Sequence, residues 1–149
     1  MGAVTTIQSA RTALTVTGFG TLASATYVAS SAYNVNTLKP QDLIIEVEAA
    51  TTNAVAGNKQ IAVFVQASLD GTNFQSGPTS GTTTTDELDL TWIGNLPMNT
   101  ATTTHRKMFS VGTVLGFVPQ QVKVVLKNDL GVALTSGAVY TAEISNSVA

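Results

Sequence analysis

The chain contains no cysteine, which excludes a disulfide framework and any thiolate-held metal. Charge is nearly as scarce. Lys, Arg, Asp and Glu make up 11% of the residues, against roughly 25% in an ordinary soluble domain. The formal net charge is −2 and the pI about 5.1. Neither sign therefore builds a field able to recruit nucleic acid or an anionic membrane surface. Aromatic residues are 6% and there is one histidine. Mean hydropathy is +0.24, yet no apolar run approaches the roughly 18 residues of a spanning helix. The opening stretch, MGAVTTIQSARTALTV, has no basic segment followed by an apolar one. It predicts no signal peptide and a chain made in a cytoplasm without export.

What is present is threonine, the commonest residue, with many β-branched and small neighbours. Across 149 residues this is enough chain for one domain with a sizeable core. An apolar chain so poor in charge must either cover its surface with Thr, Ser, Asn and Gly or bury part of that surface against other chains.

The stretch IAVFVQASLDGTNF, Ile61 to Phe74, is the strongest local signal. Ile61, Val63, Val65 and Ala67 share one face at period two; Ala62, Phe64, Gln66 and Ser68 share the other. Phe64 makes the second face partly apolar, so this strand is expected to be covered on both sides. Asp70-Gly71 ends it as a turn. Before it, residues 1–10 read as an arm whose bulky anchors are Val4 and Ile7, with residues 11–149 as the folded domain. Strands are predicted at Thr12 to Thr17, around Ala25 to Ala29, and at Leu43 to Ala49, where Leu43, Ile45 and Val47 point inward. Ser30 to Asn36 reads as loop and Lys39 to Asp42 as a turn.

Beyond Phe74, Gln75 to Thr85 is low-complexity and predicts an exposed tip. Leu88, Leu90 and Trp92 alternate with Asp89, Thr91 and Ile93 as a fifth strand, which places Trp92 in the core; Gly94 to Pro97 ends it. Strands follow at His105 to Val111, at Val122 to Lys127 and around Tyr140 to Ile144. No amphipathic helix is expected between Gly112 and Gln121. About eight short strands separated by turn signals predict an all-β, antiparallel two-sheet sandwich. A jelly roll is the preferred topology and an immunoglobulin-like sandwich the runner-up.

Candidate chemistry is thin. His105 lies beside Arg106 and Lys107, with no nucleophile motif to serve it. It reads as part of a solvated polar patch. Glu46 and Glu48 share one strand face; paired carboxylates can hydrolyse glycosides, but a wet face or interface rim is the preferred reading. Asp86, Glu87 and Asp89 cluster without the spacing of a calcium loop. Lys123 and Lys127 are too sparse for a phosphate groove. No catalytic residue, metal site or cofactor is predicted, and the chain is expected not to be an enzyme.

Three segments carry a resemblance. They are ASLDGTNF (Ala67 to Phe74), TWIGNLPMNT (Thr91 to Thr100) and FVPQQVKVVLKNDLGVAL (Phe117 to Leu134). In this order and spacing the chain resembles tailed-phage virion structural proteins. The resemblance implies a β-sandwich on the outside of a capsid, as a decoration or cement protein or a head-fibre base. It implies the major capsid protein as partner and the virion as location. It brings no catalytic motif and does not reach residues 1–36.

The expected function is therefore a non-enzymatic shell-binding protein that stabilises a phage capsid. Self-association is expected from the low charge content, and a homotrimer from analogy with decoration proteins at three-fold positions. Val4, Ile7, Arg106 and Lys107 are the expected partner-binding residues. The alternative is a carbohydrate-binding or adhesion module of a head fibre or tail. A genome-packaging capsid protein is disfavoured, because Arg11 is the only cation before Lys39 and no basic arm exists to neutralise phosphate.

Overall fold

A computed structural model describes residues 3–35 and 40–148. Met1 and Gly2 of the expected arm, Asn36 of the expected loop, Lys39 of the expected turn and the C-terminal Ala149 lie outside the described residues. The strands in chain order are β1 (Val4–Gln8), β2 (Thr12–Leu14), β3 (Tyr27–Ala29), β4 (Tyr33–Asn34), β5 (Asp42–Ala50), β6 (Gln60–Ser68), β7 (Ser80–Gly81), β8 (Thr91–Pro97), β9 (His105–Ser110), β10 (Gln121–Asn128) and β11 (Ser136–Val148). One short helix, α1 (Val111–Leu115), follows β9.

Every strand pairing is antiparallel. The first sheet runs β1-β11-β5-β9, with β2 also on β11; the second runs β7-β3-β10-β6-β8, with β4 also on β10. Within these, the order is β2-β11-β5-β9 in one layer and β3-β10-β6-β8 in the other. The chain enters the layers in the order first, second, first, second, second, first, second, first. That is the double Greek key of a jelly roll, the topology preferred from the sequence. Three short strands, β1, β4 and β7, are additions at the periphery.

The core lies between the layers. Leu43, Ile45 and Val47 of β5 face Ile61, Val63 and Val65 of β6, and Val122, Val124 and Leu126 of β10. Alternation at period two on each strand produces this layer directly. A second, smaller cluster lies outside the second sheet: Tyr27, Ala62, Phe64, Leu90 and Val125. It makes β6 buried on both faces, as Phe64 foretold. Its cover is the chain from Phe74 to Leu90. The expected exposed tip is exposed over residues 79–85, but it is tethered to the sheet, because Ser80–Gly81 pairs with β3.

Several expectations are corrected. Residues 4–8 are not an unpaired arm but a strand, β1, lying on the chain's own β11. All of its residues are exposed, so pairing of backbone groups, not burial, holds it. Leu88, expected in a strand, is 98% exposed in a 3-10 turn over Glu87–Asp89. Trp92, expected in the core, is 56% exposed. It stands opposite Phe64, in phase with Leu90, on the outer face of the second sheet. A β-bulge follows: Phe64 pairs with Trp92 and Val63 with Gly94, so Ile93 is the extra residue. The bulge lets both Ile93 and Leu96 turn into the core. The strand runs on to Pro97 instead of ending at Gly94.

The short helix was also missed, since five residues carry no amphipathic period. Capping makes it. The Ser110 Oγ accepts from the Thr113 N–H at 3.0 Å, and Gly116 closes the C-terminus with φ of 77°. Asp42 anchors the start: its Oδ2 accepts from Ser110 Oγ at 2.6 Å and its Oδ1 from the Gly112 N–H at 2.8 Å.

Candidate functional site: the outer face of the first sheet

A concavity lies on the outer face of the first sheet, not between the sheets. It is a shallow groove of about 450 Å³ floored by Ile44, Met108, Tyr140, Ala142 and Ile144. Register explains the grouping. Ile44 of β5 stands between Ala142 of β11 and Ser110 of β9; Glu46 stands between Tyr140 and Met108. These are the positions out of phase with the core residues Leu43, Ile45 and Val47. Met108 is 67% exposed.

A row of charges crosses this face. The Arg11 Nε donates to Glu46 Oε1 at 2.9 Å, and its Nη2 reaches Glu48 Oε2 at 3.4 Å. The Arg106 Nε donates to Glu48 Oε2 at 2.6 Å. The Arg11 guanidinium also stacks over Tyr140, 3.2 Å from the ring centroid, and Glu46 holds it still more firmly protonated than usual. Two cations and two anions thus close on one another, and the apolar floor lies beside a face whose charges are already matched. Glycoside hydrolysis needs one carboxyl free to give its proton and another free to attack or to activate water; here guanidinium groups engage both Glu46 and Glu48.

The expected partner-binding residues are not brought into one place. Val4 and Ile7 lie on β1 and Arg106 and Lys107 on β9, at opposite edges of the first sheet. Val4 and Ile7 have opposite parity, so their side chains leave β1 on opposite faces. Arg106 faces outward to Glu48, whereas Lys107 turns the other way and donates to the Asn95 carbonyl of β8 at 3.0 Å. The pair is therefore not one cationic patch. His105 Nε2 lies 3.2 Å from the Thr100 carbonyl. Sequence reasoning missed Arg11, Tyr140 and Met108, which come from the residue before β2 and from β11 and β9, far apart in the chain.

The polar groups elsewhere are structural in their contacts. Asp70 accepts from the N–H groups of Asn73 and Thr72, both at 2.8 Å, and from the side chains of Asn73 and Ser68. These bonds, led by the Asn73 N–H, hold its carboxyl well below the usual range. Glu87 binds Lys127 at 2.8 Å and takes the Tyr27 hydroxyl, tying the outer loop to β10. Burial pushes Tyr33 up to about 12, helped by its hydrogen bond to Glu143. Burial also raises Asp129, against the pull of Lys127. Among the described residues no three metal-ligating side chains gather, and no helix is long and apolar enough to cross a membrane.

No protein-family model matches the chain, and no curated protein matches it. Among solved structures, a chain from "Structure of infectious bursal disease virus Gt strain" is similar over 98% of this chain and 42% of that one, at 15% identity and a TM-score of 0.22. This chain thus spans less than half of that neighbour's length, and a TM-score that low does not establish a shared fold. The class defined here is the all-β jelly-roll sandwich.

Proposed function

We propose that this chain is a non-enzymatic structural protein of a virus particle, which seats on the outer surface of a tailed-phage capsid and stabilises it. The observation that carries this reading is the outer face of the first sheet. It offers the exposed Met108 and the half-buried Ile44 and Ile144 beside charges that are mutually satisfied, which suits contact with another protein better than turnover of a small molecule. The three segments that resemble tailed-phage structural proteins build the end of β6 and its turn, β8, and β10 with its turn, so the resemblance follows one sheet of the sandwich. Jelly rolls occur in viral shells but also in lectins, so fold alone decides nothing.

The test is binding of the purified chain to capsids that lack it, followed by co-sedimentation and electron microscopy. Met108→Asp should weaken attachment at least tenfold without changing the fold, because it sets a carboxylate on the apolar floor. Equal binding by wild type and Met108→Asp would move the contact off this face. Glycosidase and esterase assays on the same protein should give no turnover that Glu46→Gln or His105→Ala abolishes.

One observation favours a second reading, a carbohydrate-binding module. Trp92 is exposed, and its Nε1 donates to Asn95 Oδ1 at 3.0 Å, while Asn95 Nδ2 donates to Gln60 Oε1 at 3.0 Å. A ring held by amides is a platform for stacking a sugar. Trp92 is the only tryptophan, so its emission reports binding directly. Titration with soluble glucose-, galactose- and N-acetylglucosamine-based oligosaccharides should leave it unchanged if the structural reading is right.

A further inference from the structure

Pairing between β11 and β5 stops at Ile144 and Asp42, but pairing between β11 and β1 runs on to Val148 and Val4. The two terminal strands therefore project past the body of the sheet by four residues, about 13 Å at the rise of a strand. Nothing is buried beneath β1, whose residues are all exposed. A two-stranded ribbon of this kind is marginal in water until a third strand joins it.

The direction of its unused hydrogen bonds follows from one contact. The Ser9 N–H donates to the Glu143 carbonyl at 2.9 Å. Hydrogen-bonded pairs alternate along an antiparallel ladder, so Ile7 and Thr5 also turn their backbone groups to β11. Val4, Thr6 and Gln8 turn theirs to the free edge. The edge strands are β1, β2 and β9 in the first sheet and β4, β7 and β8 in the second. Five are blunted: β9 carries His105, Arg106 and Lys107, β8 has a bulge and ends in Pro97, β4 and β7 have only two residues each, and β2 has three and follows Arg11. β1 reads Val-Thr-Thr-Ile-Gln, with no charge, proline, glycine or bulge. Natural edge strands normally carry such guards against pairing.

We infer that β1 pairs with β1 of a second copy of this chain, antiparallel about a twofold axis at Thr6. Thr6 lies opposite Thr6 of the second copy, Val4 opposite its Gln8, and Ile7 opposite its Thr5. The arrangement forms about six main-chain hydrogen bonds and joins the two first sheets into one. A second copy is the fitting occupant because the segment is its own complement: no like charges meet across the axis. The same symmetry at β9 would set cation against cation. The inference concerns the free chain and is independent of any capsid attachment.

Sedimentation of the full chain across the micromolar range should give a concentration-dependent dimer. Thr6→Pro removes the central N–H at the free edge but none that β11 uses, so it should keep the cis strand and weaken dimerisation at least tenfold. Thr6→Lys should do the same by placing two cations on the axis. Amide exchange on the wild type supplies a second measurement independent of any variant: Val4, Thr6 and Gln8, which have no partner in the monomer, should gain more protection with concentration than Thr5 and Ile7, which already bond to β11. A monomer over the whole range, a trimer indifferent to Thr6→Pro, or exchange at Val4, Thr6 and Gln8 that ignores concentration would each overturn the inference.

Discussion

Replacing Gly94 by alanine tests the bulge that sorts β8 into inner and outer faces. Gly94 has φ of 144°, a region open essentially to glycine alone, and a residue with a side chain held there costs about 1–3 kcal/mol. The added methyl would also stand 2.8 Å from Phe109 Cε1 and 3.0 Å from its Cδ1. Phe109 is buried from the facing sheet, so its ring cannot swing away freely, and overpacking of this kind costs about 1–3 kcal/mol more. The sum, about 2–6 kcal/mol, is a large part of the roughly 5–15 kcal/mol that stabilises a domain. Urea denaturation followed by Trp92 emission should show the midpoint fall with the slope unchanged. Combining Gly94→Ala with Phe109→Leu separates the two causes. The smaller side chain relieves the clash but not the backbone, so the double variant should be more stable than the sum of the singles predicts by about 0.5–3 kcal/mol. A loss below about 1 kcal/mol for Gly94→Ala, or strict additivity with Phe109→Leu, would refute the reasoning.

Asn128 is buried and donates from Nδ2 to the carbonyls of Leu22 and Val132, both at 2.8 Å, while its Oδ1 accepts from the Leu130 N–H. Asn128→Ala strands these groups at about 1–3 kcal/mol each, so thermal melting should reveal one of the most destabilising single changes in the chain. Ser110→Ala removes the helix cap and a bond to Asp42 and should cost about 1–2 kcal/mol by the same assay. Arg11→Ala breaks exposed ion pairs and should leave the melting temperature nearly unchanged, with any difference shrinking further in high salt. Asp70 has its carboxyl pKa lowered by folding, so its contribution is present above the unfolded value near about 3.9 and is lost as pH falls through the folded one. The gap in melting temperature between wild type and Asp70→Ala should therefore hold at neutral pH and narrow below about pH 4; a gap that widens in acid would reverse the sign of this assignment.

The sequence by itself determined the class of the fold, because a two-sheet core needs only period-two alternation. Leu43, Ile45 and Val47, Ile61, Val63 and Val65, and Val122, Val124 and Leu126 each announce an inner face without reference to one another. Phe64 announced the second covered face of β6 in the same way, and Asp70-Gly71 its end. What alternation cannot register is an insertion in the ladder. Ile93 is one residue too many opposite β6, and that shift, which depends on the partner strand, put Leu96 inside together with Ile93. The tertiary structure alone decided the groove as well. Glu46, Met108 and Tyr140 lie on separate strands and Arg11 just before a fourth, and only the jelly-roll order β2-β11-β5-β9 sets them side by side. The fate of residues 4–8 was decided there too: their small polar side chains carry no burial signal, and what holds them is the backbone edge of β11, at the far end of the chain.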